Sequence, residues 1–400
     1  MTTSIGLGQE EAVLPAGFRA AGVAAGIKPT GARDRALIVS DGPAAVAGVF
    51  TRNRFCAAPV KLNRERLRRG IARGVIVNSG VANACTGARG LADARRTAAQ
   101  VATRLGLAER EVFVCSTGRI GTFLPMEVVE RGIEQLANSL SPTGGEEAAR
   151  AILTTDTRPK RWTAEFRIGR RTARLTGLAK GAGMIEPNMA TMLCFLLTDA
   201  AIERAALQGA LGRAVDRSFN RISVDGDQST NDTVLLLANG HAGGAPLREG
   251  DRGWNAFEAA LGEATERLAH MIVRDGEGAT RVAVIRVHGA RSDRDADRAA
   301  RAVANSLLVK TAWAGNDANW GRVMDALGYS GARVVESRVD VDFEGCPAVR
   351  NGIAGPATEA DLRAAITRPE FAVDIHLHLG GGKAVVLTCN LTEEYVRINA

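Results

Sequence analysis

Thr191 stands at the junction of two unlike halves of the stretch "KGAGMIEPNMATMLCFLLTDA" (Lys180–Ala200). The lead-in holds two Gly and one Pro, and the residues from Met189 onward are almost continuously apolar. A Thr hydroxyl is a weak nucleophile unless a base takes its proton, and a free α-amine on the same residue is one such base. That amine titrates near about 7.7–8, so much of it is neutral near pH 7. An internal Thr gains the amine if the bond before it is cut. The chain can do this itself: the Thr191 Oγ attacks the carbonyl of Ala190, the acyl group shifts from N to O, and water hydrolyses the ester. A small residue at Ala190 and a Gly- and Pro-rich approach suit that step, and an apolar strand "TMLCFLL" suits holding the new terminus. The plainer reading is a loop entering a core strand that begins with Thr.

Other chemistries find less support. His376 and His378 in "DIHLHLG" alternate on one strand face, but two potential ligands without a third make an ordinary strand face the better reading. "VDGDQSTND" (Val224–Asp232) has Thr230 where an EF-hand loop needs Gly and Leu236 where it needs Glu. "GGGK" (Gly380–Lys383) lacks the phosphate-loop spacing and its hydroxyl residue. There is no GxSxG elbow, and no His lies near a plausible nucleophilic Ser. No metal site is expected.

Elements must position Thr191. "ALIVS", "AAVAGVFT" and "GVIVNSG" read as strands, the last running into the small-residue turn "VANACTGARG". Residues 91–107 read as an Ala-rich helix, and "EVFVCSTG" as a strand ending in a polar turn. "PMEVVERGIEQLANSL" has helical spacing with Pro125 near its start. "SPTGG" breaks the chain before the helix "EEAARAIL". Strands "WTAEFRIG" and "RTARLTGLAKG" precede the Thr191 stretch. After it come a helix over 201–218, a polar segment, the strand "VLLLAN", a helix over 254–273, and the strand "TRVAVIRVHGA". Past a soft boundary near residue 286 the pattern gives a helix over 294–308, the segment "VKTAWAGNDANWGRVMDALGYSG" and short strands. This order indicates mixed α/β layers, not a bundle or a repeat array.

The chain has 400 residues, too many for one ordinary core. Its composition, 46% hydrophobic and 24% charged, is that of a globular protein. The net charge of +7 comes mostly from Arg scattered through helical stretches, and only 4% of residues are aromatic, so nucleic-acid binding is not indicated. A basic balance also suits anionic small substrates. The six Cys form no CxxC pair and read as reduced thiols. The N-terminus has no basic region before an apolar run, and no stretch reaches the roughly 18 apolar residues a membrane helix needs. These features point to the cytoplasm.

"KGAGMIEPNMATML" resembles the self-cleavage segment of the ornithine acetyltransferase family, also called the bifunctional glutamate N-acetyltransferase family of arginine biosynthesis. "GFRAAGVAAGIKPTGARDRALIVSD", "GVFTRNRFCAAPV", "VNSGVANACTG", "CSTGRIG" and "ILTTDTRPK" resemble further blocks of it. So do "SFNRISVDGDQSTNDTV", "VRDGEGATR", "VKTAWAGNDANWGRVMDALGYSG" and "EEYVRIN". Together they span residues 17–399 in the family's order.

The resemblance implies a self-processing layered catalytic domain with an N-terminal Thr nucleophile over residues 1–285, cleaved between Ala190 and Thr191. Fragments 1–190 and 191–400 stay together, and a smaller C-terminal α/β domain, 286–400, contributes to substrate binding. The implied reaction moves acetyl from N2-acetyl-L-ornithine to L-glutamate through acetyl-Thr191. Thr117 and Gly118 are implied as the oxyanion hole. Thr154, Lys180, Thr191, Glu277 and Asn399 are implied as substrate contacts. An ammonium and a hydroxyl suit a carboxylate, and a carboxylate suits an amine. No cofactor is implied, although some members also take acetyl from acetyl-coenzyme A. The partners implied are the two small substrates and a second cleaved pair, giving a heterotetramer, with no nucleic acid or membrane. Two departures stand out: Val81 replaces a frequent Asn, and the family usually continues past the "IN" motif to a hydroxyl residue, whereas this chain stops at Ala400. The alternatives are a related N-terminal-Thr aminopeptidase or amidase, a paralogue for another N-acetylated amine, and an uncleaved binding protein.

Overall fold

The computed structural model describes residues 8–186 and 192–400, so Ala190 and Thr191 lie outside the described residues. The described residues fall into two units. One takes in those of Met1–Gly181, Pro187–Asn220 and Gln228–Ala269, and the other Ala182–Glu186, Arg221–Asp227 and His270–Ala400.

Strands β1 (Phe18–Val23), β2 (Arg35–Phe50), β3 (Ile71–Val81), β4 (Val112–Arg119), β5 (Lys160–Ile168), β6 (Arg171–Lys180), β7 (Leu193–Thr198) and β8 (Thr233–Ala238) build the sheet of the first unit. Its helices are α1 (Ala58–Leu67), α2 (Gly87–Leu105), α3 (Met126–Ser139), α4 (Gly145–Ala151), α5 (Arg204–Arg217) and α6 (Trp254–Arg274), the last assigned to this unit through Ala269. The strand order is β4-β3-β2-β8-β7-β6-β5, with β1 also paired to β2. β3 with β4 and β7 with β8 are parallel, and the other pairs are antiparallel.

Neighbouring side chains on a strand point to opposite faces. On β2, Ala36 and Ile38 enter one apolar cluster while Leu37 and Val39 enter another. β3 and β4 do the same, with Val75, Val77, Phe113 and Cys115 on one face and Ile76, Val112 and Val114 on the other. Both faces are therefore covered, which explains the unbroken apolar runs. Residues 148, 149 and 151 of α4 close the first face, and α2 and α3 close the second. The α2 residues Ala94, Ala98, Val101 and Ala102 form its buried stripe. "ALIVS" and "AAVAGVFT" turn out to be parts of one strand. The intervening Asp41-Gly42-Pro43 shows as a shift of register against β3 between Val39 and Ala44, because Pro cannot donate to a ladder.

The second unit holds β9 (Val282–Ala290), β10 (Asp340–Phe343), β11 (Cys346–Arg350), β12 (Ile353–Ala354), β13 (Glu370–His376) and β14 (Gly382–Cys389) in the order β12-β11-β10-β13-β9-β14. Its helices are α7 (Asp293–Asn305), α8 (Leu307–Ala314), α9 (Trp320–Tyr329), α10 (Glu359–Ile366) and α11 (Glu393–Asn399). Ile285, Val287, Val341, Phe343, Val373 and Ile375 form one core with α7, α8, α9 and α10. The helix expected over 294–308 ends earlier, because Ser306 accepts a hydrogen bond from the Val309 N–H and caps a new helix. β13 stops at His376, and His378 follows with φ +50°, so the two do not alternate on one strand. Instead the His376 ring stacks on His288 at 4.9 Å between centroids.

The expected class, mixed α/β layers, is the class observed. All six Cys are free. No described helix is long and apolar enough to cross a membrane.

Candidate active site

β6 ends at Lys180, a charged residue closing the buried half of the strand, with its side chain 9% exposed. Its Nζ lies 2.7 Å from the Thr154 Oγ1, 3.4 Å from the Thr117 Oγ1 and 3.7 Å from the Asp156 carboxylate. Three side chains from distant stretches of sequence thus meet at one ammonium in the first unit. Thr117 comes from the end of β4, and Thr154 from the turn after α4.

Asp156 organises this group. Its Oδ1 accepts from the Lys160 Nζ at 2.5 Å and from the Gly181 N–H at 2.6 Å, and its Oδ2 from the Thr154 N–H at 3.0 Å. The side chains of Asp156 and Lys160 are fully enclosed. Burial alone would push the carboxyl pKa up. The Lys180 and Lys160 ammoniums and the hydrogen bonds from Lys160 and Thr154 overcome that and hold it well below the usual carboxylate range. Asp156 is therefore a fixed anion that orients Lys180.

The end of β4 is built on close backbone contact. Gly118 has φ +127°, and a Cβ there would lie 2.3 Å from the carbonyl carbon of Gly80, itself at φ +104°. Only glycine fits both the dihedral and the space. Ser116 just before is buried, with its Oγ donating to the Asn78 Oδ1 at 2.6 Å. The Asn231 side chain donates to the carbonyls of Ser116 (2.8 Å) and Ala82 (2.6 Å). These bonds fix the strand ends, leaving Thr117 half-buried and Gly118 exposed.

Asp232, directly before β8, is also buried. Burial pushes its pKa well above the usual range, although the Met192 N–H, the Ser229 and Thr51 hydroxyls and the Lys180 charge all act to lower it. The Met192 carbonyl accepts from the Thr233 N–H at 3.0 Å. The residue after Thr191 is thus held by its backbone.

In the second unit, the Glu277 carboxylate accepts from the Asn399 Nδ2 at 2.6 Å. Gly183 lies against it, since a Cβ there would be 2.4 Å from the carboxyl carbon. Asp225 accepts from the N–H groups of Met184 (2.5 Å) and Ile185 (2.8 Å) and from the Tyr395 hydroxyl (3.2 Å). Burial, Asp225 and then the charges of Glu277 and Asp227 push the Tyr395 pKa up, so its hydroxyl keeps its proton. Met184 adopts φ +57°, an uncommon conformation for a non-glycine residue.

Thr117, Thr154 and Lys180 are thus brought together, Gly118 adjoins Thr117 in sequence, and Glu277 pairs with Asn399. Thr191 and Ala190 lie outside the described residues. Sequence reasoning passed over Asp156, Lys160, Asp232, Asp225 and Tyr395. A signal was present for three of them: Asp232 directly precedes the apolar strand β8, and Asp156 and Lys160 lie within "ILTTDTRPK". Among the described residues, no group of three or more His, Cys, Asp or Glu is placed to hold a metal ion.

The sequence model of the ArgJ family matches residues 19–400. The chain belongs to the ArgJ family. The arginine biosynthesis bifunctional protein ArgJ of Geobacter sulfurreducens is 52% identical over 385 residues, covering 96% of this chain and 98% of that protein. The protein of the same name from Symbiobacterium thermophilum is 49% identical over 387 residues, covering 96% of each. A crystal structure of the ornithine acetyltransferase of Mycobacterium tuberculosis, complexed with ornithine, is 45% identical over 48% of this chain and all of that one (100%), with a TM-score of 0.44. Family membership makes the chain an acyltransferase of arginine biosynthesis, of the ornithine acetyltransferase and glutamate N-acetyltransferase kind.

Proposed function

We propose that this ArgJ-family acyltransferase moves the acetyl group of N2-acetyl-L-ornithine to L-glutamate through an ester on the Thr191 Oγ, after cutting its own chain between Ala190 and Thr191. The freed α-amine of Thr191 takes the hydroxyl proton as Oγ attacks the acetyl carbonyl. The same amine then protonates the departing ornithine nitrogen. Glutamate attacks the ester, and N-acetylglutamate leaves with Thr191 restored. The Thr117 hydroxyl and Gly118 N–H stabilise the tetrahedral oxyanion. Lys180 and Thr154 hold a substrate carboxylate, and Glu277, steadied by Asn399, takes an ammonium. Acetyl-coenzyme A is a second acetyl donor in this reading. The working assembly is a dimer of 1–190/191–400 pairs in the cytoplasm.

The observation that carries this reading is the meeting of Lys180 with Thr154 and Thr117 at 2.7 and 3.4 Å, on the strand that leads to the Thr191 segment. An ammonium and two hydroxyls form a binding site for a carboxylate or an oxyanion, which a plain loop-to-strand junction does not need. The test is a denaturing gel with N-terminal sequencing, followed by incubation with acetyl-labelled N-acetylornithine. Two fragments are expected, the second beginning "TMLCF", with label on that fragment until glutamate discharges it as N-acetylglutamate. A single intact chain rules out the cleavage, and release of acetate at one rate with or without glutamate indicates a hydrolase.

A further inference from the structure

Lys28 stands in the turn "AGIKPTG" after β1, among residues to which no role has been given above. The turn is fixed by Asp34, whose buried carboxylate accepts the backbone N–H groups of Ala25 (2.8 Å), Gly26 (3.0 Å), Ile27 (2.6 Å) and Lys28 (3.1 Å). The Lys28 stem therefore leaves the turn in a set direction. Its ammonium donates to the carbonyls of Arg33 (2.8 Å) and Leu153 (2.7 Å). An ammonium has three donors. The third has no partner among the described residues, and Lys28 makes no ion pair there. The Asp34 charge is near, but its oxygens are committed to the four amides.

The position of this half-buried cation gives it meaning. Leu153, which it contacts, directly precedes Thr154, whose hydroxyl lies 2.7 Å from the Lys180 Nζ. Two ammoniums therefore approach consecutive residues of one turn. The same stem borders the end of β3, which pairs with the end of β4. A Cβ on Gly80 would lie 3.3 Å from the Lys28 Cγ, and Gly80 is the residue that Gly118 packs against. Burial pushes the Lys28 pKa down, the Asp34 charge opposes this, and the Lys180 charge adds to the lowering. A second ammonium beside Lys180 raises the local potential, and an arriving anion relieves it.

We propose that Lys28 is a further specificity-determining residue, which together with Lys180 receives the α-carboxylate that N-acetylornithine and glutamate share. This rests on the acyl-transfer reading given above and extends it to a residue that reading does not use. A single carboxylate has two oxygens with room for several donors, so one oxygen takes the Lys28 proton left over and the other faces Lys180 and Thr154. A substrate with a neutral amide in place of that carboxylate gains nothing from Lys28.

The experiment compares kcat/KM for N-acetylornithine and for its α-carboxamide in the wild type, Lys28→Met, Lys28→Gln and Lys28→Arg. Lys28→Met is expected to lower the value for the acid roughly 10- to 100-fold, the effect of one hydrogen bond to a charged group. The amide should change less than about threefold, so the acid-to-amide preference collapses. Lys28→Arg should keep most of the preference. Lys28→Gln removes the charge while keeping a polar stem, and the same ratio is read from it if Lys28→Met does not fold. Equal losses for acid and amide, or no loss for either, overturn the proposal, because a residue that only braces the turn would affect both substrates alike. Labelling the wild-type 191–400 fragment with acetyl from N-acetylornithine separates the two readings. Without label the acyl-transfer reading fails, and with label but an unmoved ratio only the role of Lys28 fails.

Discussion

Replacing Asp156 with Asn tests the group around Lys180 most directly. The wild-type carboxylate receives Lys160 at 2.5 Å, Gly181 at 2.6 Å and the Thr154 N–H at 3.0 Å, with Lys180 at 3.7 Å. An Asn side chain has one acceptor oxygen. Whichever way it turns, its NH2 faces either Lys160 and Gly181 or Thr154, all of them donors. The Asp156 and Lys160 side chains are fully enclosed, so no solvent compensates. Breaking a buried ion pair from one side costs about 3–5 kcal/mol. At about 2–4 °C per kcal/mol for a unit of a couple of hundred residues, Tm should fall by on the order of 10 °C at pH 7. The pH dependence follows from the depressed carboxyl pKa. The unfolded chain has Asp near about 3.9, so the wild-type advantage is fully present above that value and shrinks as pH falls below about 4 toward the folded pKa. Thermal unfolding at pH 7, 5 and 3 measures this. The gap between Asp156→Asn and wild type should be the same at pH 7 and 5 and smaller at pH 3. A Tm loss under about 2 °C at pH 7, or a gap that widens on acidification, would refute the reasoning.

Thr117→Val should slow acetyl transfer roughly ten- to thousand-fold while Tm stays near the wild-type value, and an unchanged kcat would remove the hydroxyl from the oxyanion hole. Gly118→Ala should lose both activity and stability, the latter by about 1–3 kcal/mol from backbone strain alone, since the added Cβ falls 2.3 Å from Gly80. A variant with wild-type Tm would contradict that contact. Asp232 has a raised pKa in the fold. Its contribution is greatest below its unfolded value of about 3.9 and is lost as pH rises through the folded value. Asp232→Asn should therefore gain on the wild type in Tm between pH 4.5 and pH 8, and equal slopes at both ends would show a carboxyl that is ionised throughout.

The layers were legible because their signals are local. β4, β8 and α6 follow directly from "EVFVCSTG", "VLLLAN" and the helical spacing after Trp254. The C-terminal helices were harder. α10 and α11 are each about two turns long, too short for a periodic pattern to rise above its flanks, and α10 is marked mainly by the Thr358–Asp361 capping box. For the candidate site, residue type and spacing pointed only to Thr191. Thr117, Thr154, Lys180, Glu277 and Asn399 entered through resemblance. Nothing in the sequence says that the Lys180 ammonium meets Thr154 and Thr117, because those contacts join residues 26 and 63 positions apart. Asp156 escaped notice for the same reason, since its charge gains meaning only from enclosure beside two ammoniums.

β7 begins two residues after Thr191 and runs through the interior of the first sheet, bonded antiparallel to β6 on one side and parallel to β8 on the other. All six of its residues are buried. A backbone nick just upstream would therefore sever a covalent link without freeing either product. Dissociating the pieces would mean tearing one sheet in two places, between β2 and β8 and between β6 and β7, and dilution alone supplies no force for that. Maturation by such a nick is a one-way event, because unfolded halves would have to refold from separate polypeptides with no tether to bring β6 and β7 into register. A heat-denatured sample of nicked protein should recover activity in proportion to concentration, whereas an uncut Thr191→Ala chain should regain its fold independently of it.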